Sequence, residues 1–372
     1  MPMNLSYWEY KTWFHNVDYT IIGSGIVGLS CALSLREKHP KAKILLLEKG
    51  SMPQGASTKN AGFACFGSIS EILEDLDHHS PDEVVELVQK RWKGIELLRS
   101  TLGDKAIDYQ RRGGHELFFK KDQKLFNKCQ ERLDEVNTLL KPVFGKPAFH
   151  LQPNTFGFKK IIDTYIINPF EAQINTGSMM ETLLTKVRAA GVHILNGMEV
   201  ASYEEDASGV TISTNNFEFR SGKMLVATNG FAAEWLREDI VPARAQVLIT
   251  KPIPGLKIKG TFHLDKGYYY FRNVEDRIMF GGARNVDFKT EETTSFGLTS
   301  NIQNKLEEVL RETILPNTPF EIDKRWSGIM GTGSQKRPIV IRLTDRVAFG
   351  VRLGGMGIAI GSHVGKELAH IS

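Results

Sequence analysis

Gly23, Gly25 and Gly28, in the stretch "DYTIIGSGIVGLSCALSLREKHPKAKILLLEKG", have the spacing G-x-G-x-x-G. The chemistry that uses this spacing is the binding of a dinucleotide pyrophosphate. Gly23 permits a tight turn, Gly25 lets the backbone approach a phosphate, and Gly28 lets a helix pack closely on the strand before it. The N-terminus of that helix, at Ile26 and Val27, supplies free N–H donors and a positive dipole end. Glu48, twenty residues beyond Gly28 and followed by Lys49, ends the next apolar run, where a carboxylate can accept the adenosine ribose hydroxyls. A carboxylate there repels a 2′-phosphate, which disfavours NADP and leaves FAD or NAD.

These residues need a strand, a helix and a second strand to position them. Val17 to Ile22 is an apolar run that meets Gly23 abruptly, as a buried parallel strand does. Small and apolar residues recur at helical spacing from Ile26 to Lys38 and stop before Pro40, and Lys43 to Leu47 reads as a second buried strand. From Ser68 to about Leu140, long charged amphipathic segments predict helices around the strand-like "GGHELFFK". "GSMMETLLTKVRAAGVHILNGMEV" reads as helix then strand, with Gly191 ending the helix. "GVTISTNNFEFR" and "KMLVATNG" predict a small antiparallel meander returning to a parallel strand. Residues 241–290 are strand-rich, "NIQNKLEEVLRETI" is helical, and the chain closes with a strand, a glycine-rich turn and a helix. The order predicts an α/β fold with α+β elements. A Rossmann-like dinucleotide domain is expected from 1–76, 164–236 and 325–372, with a mixed-sheet substrate domain from 77–163 and 237–324.

Composition narrows the function classes. The 372 residues carry 47 basic and 43 acidic side chains, a formal +4 with the signs interleaved, so a nucleic-acid partner is not expected. Three scattered cysteines, Cys31, Cys65 and Cys129, make neither a disulfide framework nor a zinc site, and point to a reducing, cytoplasmic setting. "MPMNLSYWEYKTWFHNVD" lacks a signal-peptide core and reads as an arm packed on the first domain. No apolar run approaches a membrane span. His78, His79, His115, His263 and His363 form no ligand pair with a carboxylate, so no metal is expected.

The segment "GASTKNAGFACFGS" resembles the flavin-contacting loop of the FAD-dependent amine and amino-acid oxidase family, which contains D-amino-acid oxidase, glycine oxidase and sarcosine oxidase. "VPARAQVLIT", "YYYFRNVEDRIMFGGA", "RWSGIMGTGSQKRPIV" and "GVRLGGMGIAIGSHVGKELA" follow in the family's order, so the resemblance covers nearly the whole chain. It implies FAD. Ser57, Thr58, Asn60, Ala61 and Gly62 would line the pyrophosphate and flavin edge, Val200 would contact adenine through its backbone, and Ala227 and Thr228 would lie beside the nucleotide. Gly354, Gly355, Met356, Gly357 and Ile358, with Gly328 nearby, would wrap the pyrimidine end of the flavin, where backbone donors stabilise the anion of the reduced ring. Lys59 and Asn60 stand where some members attach flavin through His or Cys, which implies non-covalent FAD.

The resemblance also implies a small-molecule substrate and hydride transfer from a carbon next to nitrogen to flavin N5. Members that oxidise amino acids hold the carboxylate with an Arg in W-x-G-x-R-P. Here "WSGIMGTGSQKRP" puts Met330 at that place, with Arg337 or Lys336 as substitutes. On "GYYYFR", Tyr269 and Phe271 share one face while Tyr268, Tyr270 and Arg272 share the other, and ungapped comparison puts the family's active-site tyrosine at Tyr269. Phe63 and Cys65 are expected to point toward the ring. Met279 takes the place of a Lys that promotes reaction with oxygen in the sarcosine-oxidase branch, so the electron acceptor is oxygen or another molecule. Oxidation of a small amine or amino acid is the leading reading. A 2-hydroxy-acid dehydrogenase and a flavin-containing tRNA-modification accessory module are the alternatives.

Overall fold

The computed structural model describes residues 4–372. Strands Val17–Ile22 and Ile44–Glu48 pair in parallel, Ile21 opposite Leu46, and on the other side Val17–Ile22 pairs in parallel with Glu218–Val226. The sheet extends to His193–Asn196 at one edge, and to Val347–Val351 and Ile339–Arg342 at the other. Gly209–Thr214 and Val200–Asp206 continue from Glu218–Val226 as the antiparallel meander. Successive side chains of a strand face opposite ways, so Ile44 and Leu46 join one core with Leu29, Leu35 and Val364, while Leu45 and Leu47 join another with Met224, Val226 and Phe349. Burial on both faces is why these strands read as unbroken apolar runs. Helices Ile26–Lys38 and Gly357–Ile371 cover the first face.

The second sheet also has eight strands, in the order Ile322–Thr332, Val241–Thr250, Arg277–Gly282, Tyr269–Val274, Thr261–Leu264, Gly114–Leu117, Thr164–Asn168, His150–Pro153. Its far face carries an aromatic core in which Phe262 stacks on Phe271 with ring centroids 4.6 Å apart. Thr164–Asn168, and Arg325 to Thr332 within strand Ile322–Thr332, belong by sequence to the expected dinucleotide segments and hydrogen-bond to Gly114–Leu117 and Val241–Thr250 respectively.

The N-terminal arm packs through Phe14, whose ring lies 4.5 Å from Phe217 and 5.3 Å from Phe219; Met1, Pro2 and Met3 lie outside the described residues. Among the described residues no helix is long and apolar enough to cross a membrane.

Candidate active site

The turn after the first strand is closed by backbone contact. Gly23 has φ 101°, a Cβ there would lie 2.9 Å from the Ala227 carbonyl oxygen, and a Cβ on Gly28 would collide with the Gly23 carbonyl. Helix Ile26–Lys38 starts at Gly25 without a side-chain cap of its own residue. Instead, Ile26 N–H donates to Ser57 Oγ at 3.0 Å, which brings the 56–62 loop to the helix N-terminus. The side chains of Ile26 and Val27 are buried in the core, so these residues face the notch through their backbone. Glu48 is 7% exposed; one carboxylate oxygen accepts from Ser24 N–H (3.1 Å) and Ser24 Oγ (2.6 Å), the other from Gly50 N–H (3.0 Å). Met198 N–H donates to the Glu48 carbonyl (2.9 Å), which sets Val200 beside it, and Ala227 N–H donates to the Ile22 carbonyl (2.8 Å), which sets Ala227 and Thr228 against the Gly23 turn. Lys49 turns outward, 69% exposed, and pairs with Glu199.

The side chains of the loop hold the loop itself. Asn60 Nδ2 donates to the Ala56 and Ser57 carbonyls, its Oδ1 accepts from Gly62 N–H, and Thr58 Oγ1 donates to the Pro53 carbonyl. Trp326 Nε1 donates to the Lys59 carbonyl at 2.8 Å, and Gly328 lies against the Lys59 stem, so the loop rests on the second sheet. At the other end, Gly354 and Gly355 are left-handed (φ 58° and 81°), with only the Lys336 carbonyl oxygen, 3.9 Å away, near a Cβ on Gly354 and only Met330 Sδ, 3.5 Å away, near a Cβ on Gly355. Helix Gly357–Ile371 then begins without a side-chain cap, with Ile358 in the core beneath it. Two helix N-termini whose own N-cap residues supply no capping side chain, one beside a glycine notch and one behind a glycine turn, suit a pyrophosphate and the anionic edge of a flavin. The residues present fit FAD.

Between these ends, side chains from both halves converge. The Phe63 ring lies 5.2 Å from His263 and 5.8 Å from Tyr270. Cys65 Sγ is 3.8 Å from Met356 Sδ, so Cys65, Met356 and Met330 make a sulfur-rich wall along the glycine turn. Tyr269 is not part of it. It is 4% exposed on the opposite face, packed against Phe119 and Phe280, each with centroids 6.2 Å away. Tyr270 is the tyrosine that faces the loop, its ring laid across Gly281, where a Cβ would sit 2.7–2.8 Å from ring and hydroxyl. Burial pushes its phenol up to about 12.

The charges around this wall are mostly acidic. His263 Nε2 and Glu171 Oε1 are 2.6 Å apart, both buried. Burial alone lowers the imidazole, but the Glu171 carboxylate outweighs it and His263 rises to about 9, so it is an imidazolium at neutral pH. Glu116 accepts from Ser70 N–H and Ser70 Oγ, and burial raises it to about 7. Burial, reinforced by Glu171 and Glu71, holds the Cys65 thiol well above its ordinary value, so it is no nucleophile. The cations proposed to replace the family's carboxylate clamp are engaged. Lys336 pairs with Asp75 at 2.6 Å, and Arg337 lies 3.4 Å from Glu86. Arg272, 5% exposed, donates to the Ala61 and Ile174 carbonyls beneath the loop. With Met279 opposite it, Arg272 lines a separate cavity of about 370 Å³. Sequence reasoning missed Glu171, Glu116 and the role of His263; ionisable residues inside otherwise apolar strand and turn segments were the signal that marks them.

Three relatives are similar along their length. The probable oxidoreductase OrdL of Haemophilus influenzae is 21% identical over 385 residues, covering 96% of this chain and 83% of that protein. The glycerol 3-phosphate oxidase of Mycoplasma genitalium is 23% identical, covering 91% and 89%. The crystal structure of L-proline dehydrogenase from P. horikoshii superposes with a TM-score of 0.75 at 18% identity, covering 95% of this chain and 92% of that one, a likeness of fold. The family model for FAD dependent oxidoreductases, DAO, matches residues 18–371, which span both sheets, both glycine turns and the wall between them; this chain belongs to that family and is an FAD-dependent oxidoreductase.

Proposed function

We propose that the protein oxidises the C–N bond of a small amine that lacks a carboxylate on the reacting carbon. One observation carries the reading: the wall of Met330, Met356 and Cys65 faces the glycine turn where the family's carboxylate-binding Arg is expected, and Lys336, Arg337 and Arg272 are all engaged elsewhere. An α-carboxylate against thioethers and a neutral thiol would be desolvated without a counter-charge, at a cost of several kcal/mol. An amine meets carboxylates beside this wall, Glu171, Glu71 and the partly ionised Glu116, with His263 and Arg91 as the cations among them.

FAD, when bound, supplies the hydride acceptor at N5. The chain's own residues bind and orient. Tyr270 presents a phenol fixed by Gly281, Phe63 and the sulfur wall exclude water, and Glu171 holds the proton of His263 in place at its Nε2. The amine must lose its own proton before hydride leaves, and Glu116, raised to about 7, is a buried carboxyl able to exchange one near neutral pH. The final electron acceptor would be oxygen or another molecule. Three buried free thiols support a reducing, cytoplasmic setting, and the balanced charge supports a small-molecule substrate over a nucleic acid.

The test is anaerobic bleaching of the enzyme's flavin. Alkylamines should bleach it stoichiometrically, whereas glycine, sarcosine, D-alanine and 2-hydroxy acids should not. Turnover of glycine, sarcosine or D-alanine at kcat/KM of about 10⁴ M⁻¹s⁻¹ or more would overturn the argument from Met330.

A further inference from the structure

We infer that Arg284 is a specificity-determining residue that binds an anionic group at the far end of the substrate, away from the amine. The inference rests on the amine reading above. Tyr268 precedes strand Tyr269–Val274 and by alternation shares the face of Tyr270, about 7 Å along the chain. Its ring is 36% exposed and packs edge-on against Phe288, with centroids 5.6 Å apart. The Arg284 guanidinium stacks over the same Phe288 ring, 4.7 Å from its centroid. The turn that carries Arg284 is fixed to Tyr268, because Ala283 N–H donates to the Tyr268 carbonyl at 2.8 Å and Ala283 itself is left-handed, with φ 61°.

A second aromatic pair stands on the Met330 side. Phe231 and Phe296 lie 6.3 Å apart, and Gly230, next to Phe231, rests on the Met330 carbonyl. Phe288, Phe296 and Leu298 are each more than a third exposed. Next to the Tyr270 and Met330 wall there is thus an aromatic surface with Arg284 in it.

Of the other cations near this surface, Lys266 is paired with Glu74, Lys336 with Asp75 and His263 with Glu171, while Lys289, next to Phe288, lies on the exposed side of its short helix. Arg244 takes Glu291 in a two-point ion pair, and Gln246 and Thr299 bond the same carboxylate. Among the described residues Arg284 has no ion pair or side-chain hydrogen bond; Tyr268, Glu291 and Glu292 act on it only at a distance, while burial lowers its guanidinium from its ordinary value. A half-buried guanidinium with five donors, held over a ring, is prepared for a carboxylate or phosphate fork. Its separation from Tyr270 means that the acid belongs to the distal end of an extended amine and not to the reacting carbon.

The experiment compares ω-amino acids (4-aminobutyrate, 5-aminopentanoate, 6-aminohexanoate) with the alkylamines left when the carboxylate is removed. The FAD-loaded enzyme is assayed with an artificial electron acceptor. At least one acid should exceed its alkylamine by roughly tenfold or more in kcat/KM, chiefly through KM, the worth of one charge-assisted hydrogen-bonded contact. In Arg284→Met that preference should collapse toward one, and in Arg284→Lys it should be retained in part. If alkylamines are oxidised but no acid is preferred, or the preference survives in Arg284→Met, the assignment of Arg284 is wrong and the amine reading stands. If neither series bleaches the flavin, the amine reading fails and the assignment falls with it.

Discussion

Glu48 holds Ser24 and Gly50 with three hydrogen bonds, two on one oxygen and one on the other, so the oxygen that accepts from Gly50 keeps a lone pair for a further donor. Glu48→Ala should therefore weaken FAD binding by about 1.5–3 kcal/mol, roughly ten- to a hundredfold in Kd, read by flavin fluorescence on titrating the apoprotein. Unchanged affinity would take Glu48 out of the ribose site. Tyr270 offers a second residue-scale test, since its ring occupies the space of a Gly281 side chain. Gly281→Ala should displace the ring by about 1 Å and lower kcat/KM on the order of a hundredfold with FAD content intact; a fully active variant would mean that Tyr270 does not orient the substrate. Gly23, Gly25, Gly28 and Glu48 were legible because their chemistry depends on spacing within one strand-turn-helix unit. Tyr270 was not. Three tyrosines in a row show no alternation of polarity, so nothing local says which faces the cofactor half.

The same division between local and distant holds for whole elements. The strand, helix and strand around residues 17–48 could be recognised from composition, because both faces of the strands are buried by nearby chain. Strand Ile322–Thr332, by contrast, finds its partner in Val241–Thr250, some eighty residues earlier, and the His263–Glu171 pair joins a strand to a distant turn. The loop that bears Ala61 and Gly62 is pinned from below by Arg272, a cation whose acceptors are carbonyls and not carboxylates. Arg272→Met should leave the Ala61 and Ile174 carbonyls buried without donors. The expected cost is about 1–3 kcal/mol for each unsatisfied carbonyl, seen as a lower Tm of the apoprotein and new proteolytic cleavage between residues 56 and 66. A variant with unaltered Tm and cleavage pattern would mean that the loop holds its own shape through Asn60 and Thr58.

At the scale of the molecule, the buried ionisable groups set how stability depends on pH. His263 titrates near 6.5 when unfolded and at about 9 when folded, so the stability it contributes is complete below 6.5 and is lost as pH rises through 9. Glu116 moves from an ordinary 4.5 to about 7 in the fold, so the folded chain keeps a proton that the unfolded chain releases, and stability falls between 4.5 and 7. Both shifts have the same sign. Burial lowers His115, His150 and His193, which act in the opposite sense below about pH 6.5; above it, as His263 titrates, the folded state binds more protons than the unfolded state, which makes the slope of unfolding free energy against pH negative between about pH 6.5 and 9. The FAD-loaded enzyme should show a Tm that declines over that interval at constant ionic strength. The two halves can be separated by variants. Glu116→Gln should remove the falling contribution between about 4.5 and 7 and leave the upper part, whereas Glu171→Gln, by removing the charge that holds the imidazolium, should flatten the part between about 6.5 and 9. It should also lower Tm at pH 6, where wild type keeps the pair intact. A Tm that rises from about pH 6.5 to 9, or an upper limb untouched in Glu171→Gln, would mean that His263 is neutral in the fold and that Glu171 does not hold it as an imidazolium.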